Sequence, residues 1–206
     1  MLMIPGEKLF DEPKKMNGTY VENGATYVST VAIFDNERKN FAVLEGGGMP
    51  RVEDIVIGTV SGSRNRVYNI ELSYFGKGLL IEGKYEKYSF NEGDIISARV
   101  KDIEYGKTVI LVQPRTLIGG TIINMKLARI PRFIGRENTM VNMVSELTKT
   151  KIIVGKNGSV WVKGENEDIV MSAIEMVEKE SHVSGLTDKV KEMIEKKLMQ
   201  KEKNKV

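Results

Sequence analysis

Four groups of residues in this 206-residue sequence have the types and spacing to do chemistry, and each points to a different reaction. Gly106-Lys107-Thr108 matches the end of a phosphate-binding loop, where backbone N–H groups and a lysine hold phosphates. That loop needs a glycine five positions before Gly106, where the sequence has Lys101, and then a helix, where Val109–Val112 reads as a strand. The stretch is a basic turn. Gly76-Lys77-Gly78 opens like a dinucleotide fingerprint, but Ile81 stands where its next glycine belongs. Glu165, Glu167 and Asp168 are close enough to share a proton or a metal. They fall in the first turn of a helix, however, where carboxylates favour the positive end of the dipole. His182 is the single histidine and there is no cysteine. Disulfides, a zinc ribbon and a thiol nucleophile are therefore excluded, and a Ser-His-Asp triad would hang on one side chain. The reading is no catalytic set, no metal and no cofactor.

The residues that remain suit single-stranded nucleic acid. Arg64 and Arg66 follow a strand, Tyr68 starts the next, and Tyr74, Phe75 and Lys77 lead into a third. Aromatic rings stack bases at about 1–3 kcal/mol each, and interleaved cations neutralise phosphates. Strand alternation sends about half of such rings inward, so core filling competes for Tyr68, Tyr74 and Phe75. A second group, Arg129, Arg132 and Arg136, surrounds Phe133-Ile134-Gly135 ahead of an amphipathic segment. A glycine loop at a helix start lets backbone N–H groups approach a phosphate.

Charge is distributed to match. The formal net charge is only +3, but residues 116–164 carry eight basic side chains against two acidic ones, Glu137 and Glu146. Residues 165–185 carry one basic against six acidic. A basic part beside an acidic part attracts polyanions on one side only.

The elements that must position these groups follow from periodicity. Up to about residue 115 the chain reads as β structure: Thr19–Val21, Thr26–Ile33, Phe41–Leu44, Ile55–Val60, Val67–Leu72, Gly78–Ile81, Ile95–Val100 and Thr108–Val112. Gly46–Pro50 marks a boundary, and five strands over roughly 51–114 fit an OB-type barrel. Beyond it the pattern becomes mixed. Thr121–Ile130 reads as a strand, and Arg136–Lys149 as a helix with Met140, Met143, Val144 and Leu147 on one stripe. Lys151–Val154 and Ser159–Lys163 flank Gly155-Lys156-Asn157-Gly158, and Asn-Gly is a hairpin signal. Glu165–Glu180 is a second helix, and Thr187 caps a third. The expected class is multidomain, β then α+β, with four parts: an N-terminal β unit at 1–49, a barrel at 50–115, an α+β domain at 116–185, and a helix with tail at 186–206.

In this order the residues resemble a known family. Ile4-Pro5-Gly6-Glu7, Asp54-Ile55-Val56-Ile57-Gly58-Thr59-Val60, Phe90-Asn91-Glu92-Gly93-Asp94 and Ile130-Pro131-Arg132-Phe133-Ile134-Gly135-Arg136 carry the likeness, together with Ile153-Val154-Gly155-Lys156-Asn157-Gly158-Ser159-Val160-Trp161. They are similar to the RNA-binding cap subunit of the archaeal exosome, of the S1–KH type (the ribosomal RNA-processing protein four family), over roughly residues 4–185. Absence of cysteine separates the chain from the zinc-ribbon cap type. One departure stands out: Asn138 occupies the second glycine of the Gly-x-x-Gly KH clamp formed from Gly135. Asn tolerates positive φ, but its side chain and Glu137 oppose close approach of a phosphate.

The resemblance implies an S1-type OB barrel, a KH-like domain and a non-catalytic role. It implies single-stranded RNA, A-rich tails included, guided to the pore of a hexameric RNase PH-like ring that degrades it 3′ to 5′. Partners would be the ring subunits and other cap subunits at three cap positions, in the cytoplasm and away from membranes. Arg64, Arg66, Tyr68, Tyr74, Phe75, Lys77, Arg129, Arg132, Arg136 and Lys156 would touch RNA, and Gly135, Gly155, Asn157 and Gly158 would shape the loops. The alternative is a free-standing RNA-binding regulatory or translation-related protein built from the same modules.

Overall fold

The computed structural model describes residues 2–14, 16, 19–29, 32–35, 40–43, 51–83, 86–104, 108–180, 183 and 185–203. The Gly46–Pro50 cluster, Gly106-Lys107 and His182 lie outside the described residues. The chain divides into two compact units, Met1–Met49 and Pro50–Val206.

The first unit holds β1 (Leu2–Met3), β2 (Lys8–Phe10), β3 (Thr19–Glu22), β4 (Ala25–Val28), β5 (Ala32–Asp35) and β6 (Asn40–Val43). They form two three-stranded sheets, β2-β4-β3 and β1-β5-β6. The single strand expected over Thr26–Ile33 is therefore two strands in different sheets. The reason is local pairing: Val28 is already bonded in both directions, to Gly6 and to Glu7, at 2.8 Å each. Met3, Val28 and Phe34 make a small core, with Phe10 edge-on to Phe34 at 5.6 Å.

The second unit begins with β7 (Ile55–Arg64), β8 (Val67–Glu71), β9 (Lys77–Ile81), β10 (Ile95–Glu104) and β11 (Thr108–Thr116). They close in the order β10-β11-β9-β8-β7, the OB-type barrel expected from the five β-rich runs. Alternate residues such as Val56, Ile70, Leu80, Val100 and Leu111 fill its interior, each at most 1% exposed. Register shifts in β10 after Ser97 and after Val100 bend that strand around the barrel. β11 continues past Pro114 because its parallel partner β9 meets it only at Val109–Leu111.

The remainder runs β12 (Thr121–Asn124), α1 (Ile130–Ile134), α2 (Thr139–Thr148), β13 (Lys151–Val154), β14 (Ser159–Lys163), α3 (Glu167–Glu180) and α4 (Leu186–Lys203). The strand expected over Thr121–Ile130 stops at Asn124, which pairs with Ser159, the first residue of β14; a 3-10 turn, Leu127–Arg129, then leads into α1, where Pro131 presets helical φ. The helix expected from Arg136 begins only at Thr139, since Glu137 and Asn138 have left-handed backbone angles. Thr187 is no cap: α4 follows Gly185 directly, whose carbonyl accepts from the Lys189 N–H at 3.2 Å.

The β12-β14-β13 sheet has two buried faces. Val160 and Val162 point into a core formed with the four helices, and Trp161 points the other way. There Trp161, Ile122 and Ile153 pack on Ile57, Ile95 and Leu117 of the barrel and its exit. Burying each large side chain contributes about 1.5–3 kcal/mol. Barrel and α+β domain are thus joined by a common apolar seam.

Candidate nucleic-acid interface

Asn157 stands at the centre of this seam. Its side chain is fully buried. Oδ1 accepts from the Ile57 N–H at 3.0 Å, and Nδ2 donates to the Ile57 carbonyl at 2.7 Å and to the Leu72 carbonyl at 3.0 Å. The amide satisfies both backbone groups of Ile57 as a neighbouring strand would. Either side of it, the Lys156 N–H donates to the Ile55 carbonyl at 2.8 Å, and Gly155 and Gly158 bring the hairpin against the barrel. A Cβ on Gly155 would meet the Asn157 amide oxygen and, at 3.0 Å, the Ile57 nitrogen. Gly158 has φ +85°, and a Cβ there would lie 2.8 Å from the Tyr74 ring. These glycines are needed for the approach of two backbones, in addition to the hairpin itself.

The barrel candidates divide into those the fold uses and those it leaves outward. Tyr68 is 9% exposed, its ring edge-on to Phe90 and its hydroxyl donating to the Tyr88 carbonyl at 2.7 Å. It fills the barrel, and little of its ring reaches solvent. Phe75 is half-buried against the same core. Asn65 and Arg66 form the β7–β8 turn, both with positive φ. Arg66 is committed: its guanidinium pairs with Glu82 at 3.0 Å and donates to the Gly83 carbonyl at 2.7 Å. Arg64, at the end of β7, and Lys77, opening β9, are exposed. Tyr74 lies in the short 3-10 turn Ser73–Phe75 and is 58% exposed.

The segment after Ile81 escapes sequence reasoning. Glu82 organises it, accepting from the Tyr88 N–H at 2.7 Å as well as from Arg66. The Tyr88 N–H, then Arg66, hold its carboxyl below the ordinary 4.5. Tyr88 stacks on Phe90 at 5.6 Å, and its hydroxyl donates to Glu86 at 2.6 Å. Burial first, then Glu86, push that hydroxyl up to about 12. Tyr88-Ser89-Phe90 does show the alternation of a segment lying on the barrel, the one signal available in the sequence.

On the α+β side, Arg129, Arg132, Arg136 and Lys156 are all exposed. Arg132 donates to the Val183 carbonyl at 3.0 Å. Gly135 (φ +77°), Glu137 (φ +53°) and Asn138 (φ +64°) make the loop between α1 and α2. Asn138 adopts the left-handed conformation that the second clamp glycine would supply, so the turn survives its substitution. A cleft of about 390 Å³ lies beside this loop, floored by Ile55, Ile134, Val141, Ile152 and Val154. Its rim is of mixed charge, with Glu53, Asp54 and Lys156. Glu53 is paired with Arg99 at 2.8 Å, and Asp54 accepts from the Arg51 N–H at 2.8 Å.

Two of the three acidic residues considered for metal or proton chemistry, Glu167 and Asp168, have structural partners. Glu167 accepts from the Gly164 N–H at 3.1 Å and from the Thr121 hydroxyl at 2.8 Å. Asp168 pairs with Lys201 of α4 at 2.9 Å, and that bond holds its carboxyl below the ordinary range. Among the described residues no three His, Cys, Asp or Glu side chains converge on a metal position. No described helix is long and apolar enough to cross a membrane.

Comparison with known proteins agrees with this geometry. A KH domain family model matches residues 120–168, the span from β12 to the start of α3. The fold is shared with a crystal structure provisionally described as an exosome complex RNA-binding protein. That match has a TM-score of 0.66 and 23% identity, over 75% of this chain and 99% of that one. The exosome complex component Rrp4 of Picrophilus torridus is 36% identical, covering 95% of this chain and 92% of the relative. Rrp4 of Methanothermus fervidus is 33% identical over 94% of both chains, and that of Pyrococcus furiosus 32% identical over 97% and 84%. At that identity over nearly full length, with the barrel, the KH domain and their shared seam in place, the chain belongs to the Rrp4 family of exosome components.

Proposed function

We propose that this protein is an RNA-binding, non-catalytic cap subunit of an exosome, binding single-stranded RNA and passing it to the pore of an RNase PH-like hexameric ring for 3′-to-5′ degradation. The observation that carries the reading is near full-length similarity to Rrp4 exosome components. The concentration of eight basic side chains in residues 116–164 supports it. The exposed cations Arg64, Lys77, Arg129, Arg136 and Lys156 and the exposed ring of Tyr74 are the RNA contacts in this reading. Arg66 and Phe75 act by holding the barrel surface in shape. The N-terminal unit faces the ring, and three cap positions surround the pore.

The test has two parts. Single-stranded RNA binding should weaken steeply as salt rises, because each neutralised phosphate releases counterions. The protein should also co-elute with the ring and accelerate its degradation of RNA. Absence of RNA binding both alone and on the ring overturns the proposal. RNA binding without co-elution overturns the ring partnership and leaves a free-standing RNA-binding protein.

A further inference from the structure

The seam between barrel and KH domain holds an aromatic ring and cations that neither domain presents alone. Tyr74, at 58%, is the most exposed aromatic side chain among the described residues. Its ring nevertheless has a fixed support. Cδ2 and Cε2 lie where a Cβ on Gly158 would come within 2.8 and 3.0 Å of them, so the ring rests on the backbone of the KH hairpin. The turn carrying it is tied to β12 by the Ser73 hydroxyl, 3.4 Å from Asn124 Oδ1. Leu72, just before that turn, is bonded by Asn157. The KH chain continues from this point: the Met125 N–H donates to the Gly158 carbonyl at 2.7 Å, and Lys126 follows.

Lys126 has an exposed side chain on a fixed backbone, its own N–H donating to Glu178 at 2.7 Å. Arg129 ends the 3-10 turn Leu127–Arg129 and is also exposed. Neither side chain takes part in an ion pair or hydrogen bond among the described residues. Three residues of 3-10 helix separate their backbones by about 6 Å. Of the acidic groups on these elements, Glu178 accepts from the Lys126 backbone N–H, and Glu71 lies opposite Lys77 in the register of β8 and β9.

A ring held with one face outward loses little freedom when a base stacks on it, and cations without carboxylate partners are available for phosphates. We infer that Tyr74, Lys126 and Arg129 form a composite site for single-stranded RNA, with a base on Tyr74 and the flanking phosphates on the two cations. The site exists only while Asn157 holds the two domains together. This inference rests on the RNA-binding reading above and names where the strand crosses from barrel to KH domain.

The test uses the full chain and a fluorescein-labelled single-stranded oligoribonucleotide, read by anisotropy across a salt series. Tyr74→Ala should weaken binding about tenfold, within the range for loss of one stacked base, and Tyr74→Phe should restore it to within about twofold. Lys126→Ala should weaken binding and reduce the salt slope by about 0.7, the value for one phosphate contact on a single strand. A 5-bromouridine oligonucleotide should crosslink to Tyr74. Unchanged emission from Trp161 shows that each variant keeps the seam. If Tyr74→Ala and Lys126→Ala both bind as wild type while Arg64→Glu is weakened, the composite site is wrong and the RNA-binding reading stands. If wild type binds no RNA, both fall together.

Discussion

Asn157 hydrogen-bonds both backbone groups of Ile57, a residue one hundred positions earlier in the chain, at 3.0 and 2.7 Å. One side-chain amide from the KH hairpin thereby completes the pairing of a barrel strand. The Leu72 carbonyl is a third partner, at 3.0 Å. The Asn-Gly pair thus turns the hairpin and docks the domain in the same four residues.

Asn157→Ala leaves a buried N–H and two buried carbonyls without these bonds, at about 1–3 kcal/mol for each unsatisfied group. We expect a loss of about 3 kcal/mol or more in urea unfolding, with barrel and KH domain unfolding in separate transitions. Asn157→Asp should cost more, since its carboxylate would face two carbonyls. A single unchanged transition in Asn157→Ala would show that the apolar seam alone joins the domains.

Trp161 is the single tryptophan and is 2% exposed on the seam, with its indole N–H donating to the Gly119 carbonyl at 2.8 Å. Its emission should be blue-shifted in the native protein. In Asn157→Ala it should shift to the red at urea concentrations where α-helical circular dichroism is intact. Coincident changes in the two signals would contradict local opening of the seam.

Glu82 has a pKa below its ordinary 4.5, from the Tyr88 N–H first and Arg66 second. A carboxylate with a depressed folded-state pKa contributes stability that is complete above its unfolded value and lost as pH falls through the folded one. The segment around Tyr88 should therefore loosen as pH falls below the ordinary 4.5, read as reduced protection of the Tyr88 amide relative to its intrinsic exchange rate. In Glu82→Gln the exchange should be fast at neutral pH and should lose this pH dependence.

Tyr88 is pushed up to about 12 by burial and by Glu86. A raised pKa on an acid that is neutral when protonated means stability present below the unfolded value near 10 and lost as pH rises toward 12. Tyr88 should ionise late in an ultraviolet titration, and Tyr88→Phe should remove that step.

Arg64 and Arg66 differ by two positions, yet the structure gives them different work. Arg64→Glu should weaken RNA binding and leave unfolding by urea almost unchanged. Arg66→Glu should lower stability, because it places an acid against Glu82 and removes the bond to Gly83. Arg136→Glu, beside the Glu137–Asn138 loop, should weaken RNA binding less than Arg64→Glu. A larger effect from Arg136→Glu would place the RNA path along the KH loop.

By itself, the sequence determined what is periodic or chemically absent. Alternating Val and Ile specify the five barrel strands, the 3.6-residue stripe of Met140, Val144 and Leu147 specifies a helix, and Asn157-Gly158 specifies a hairpin. Lack of Cys and a single His remove whole classes of chemistry. These are local properties, carried by residues a few positions apart. Tertiary structure alone decided which of the aromatic and basic side chains are free. Tyr68 and Tyr74 are the same residue type six positions apart, but one is sealed in the barrel by Phe90 and the other is propped outward on Gly158. Arg66, exposed as it is, is paired with Glu82, sixteen residues away, and Asn157 acquires its main partner one hundred residues away. Those assignments depend on which distant backbone comes within about 3 Å, a quantity set by chain closure and not by any local pattern.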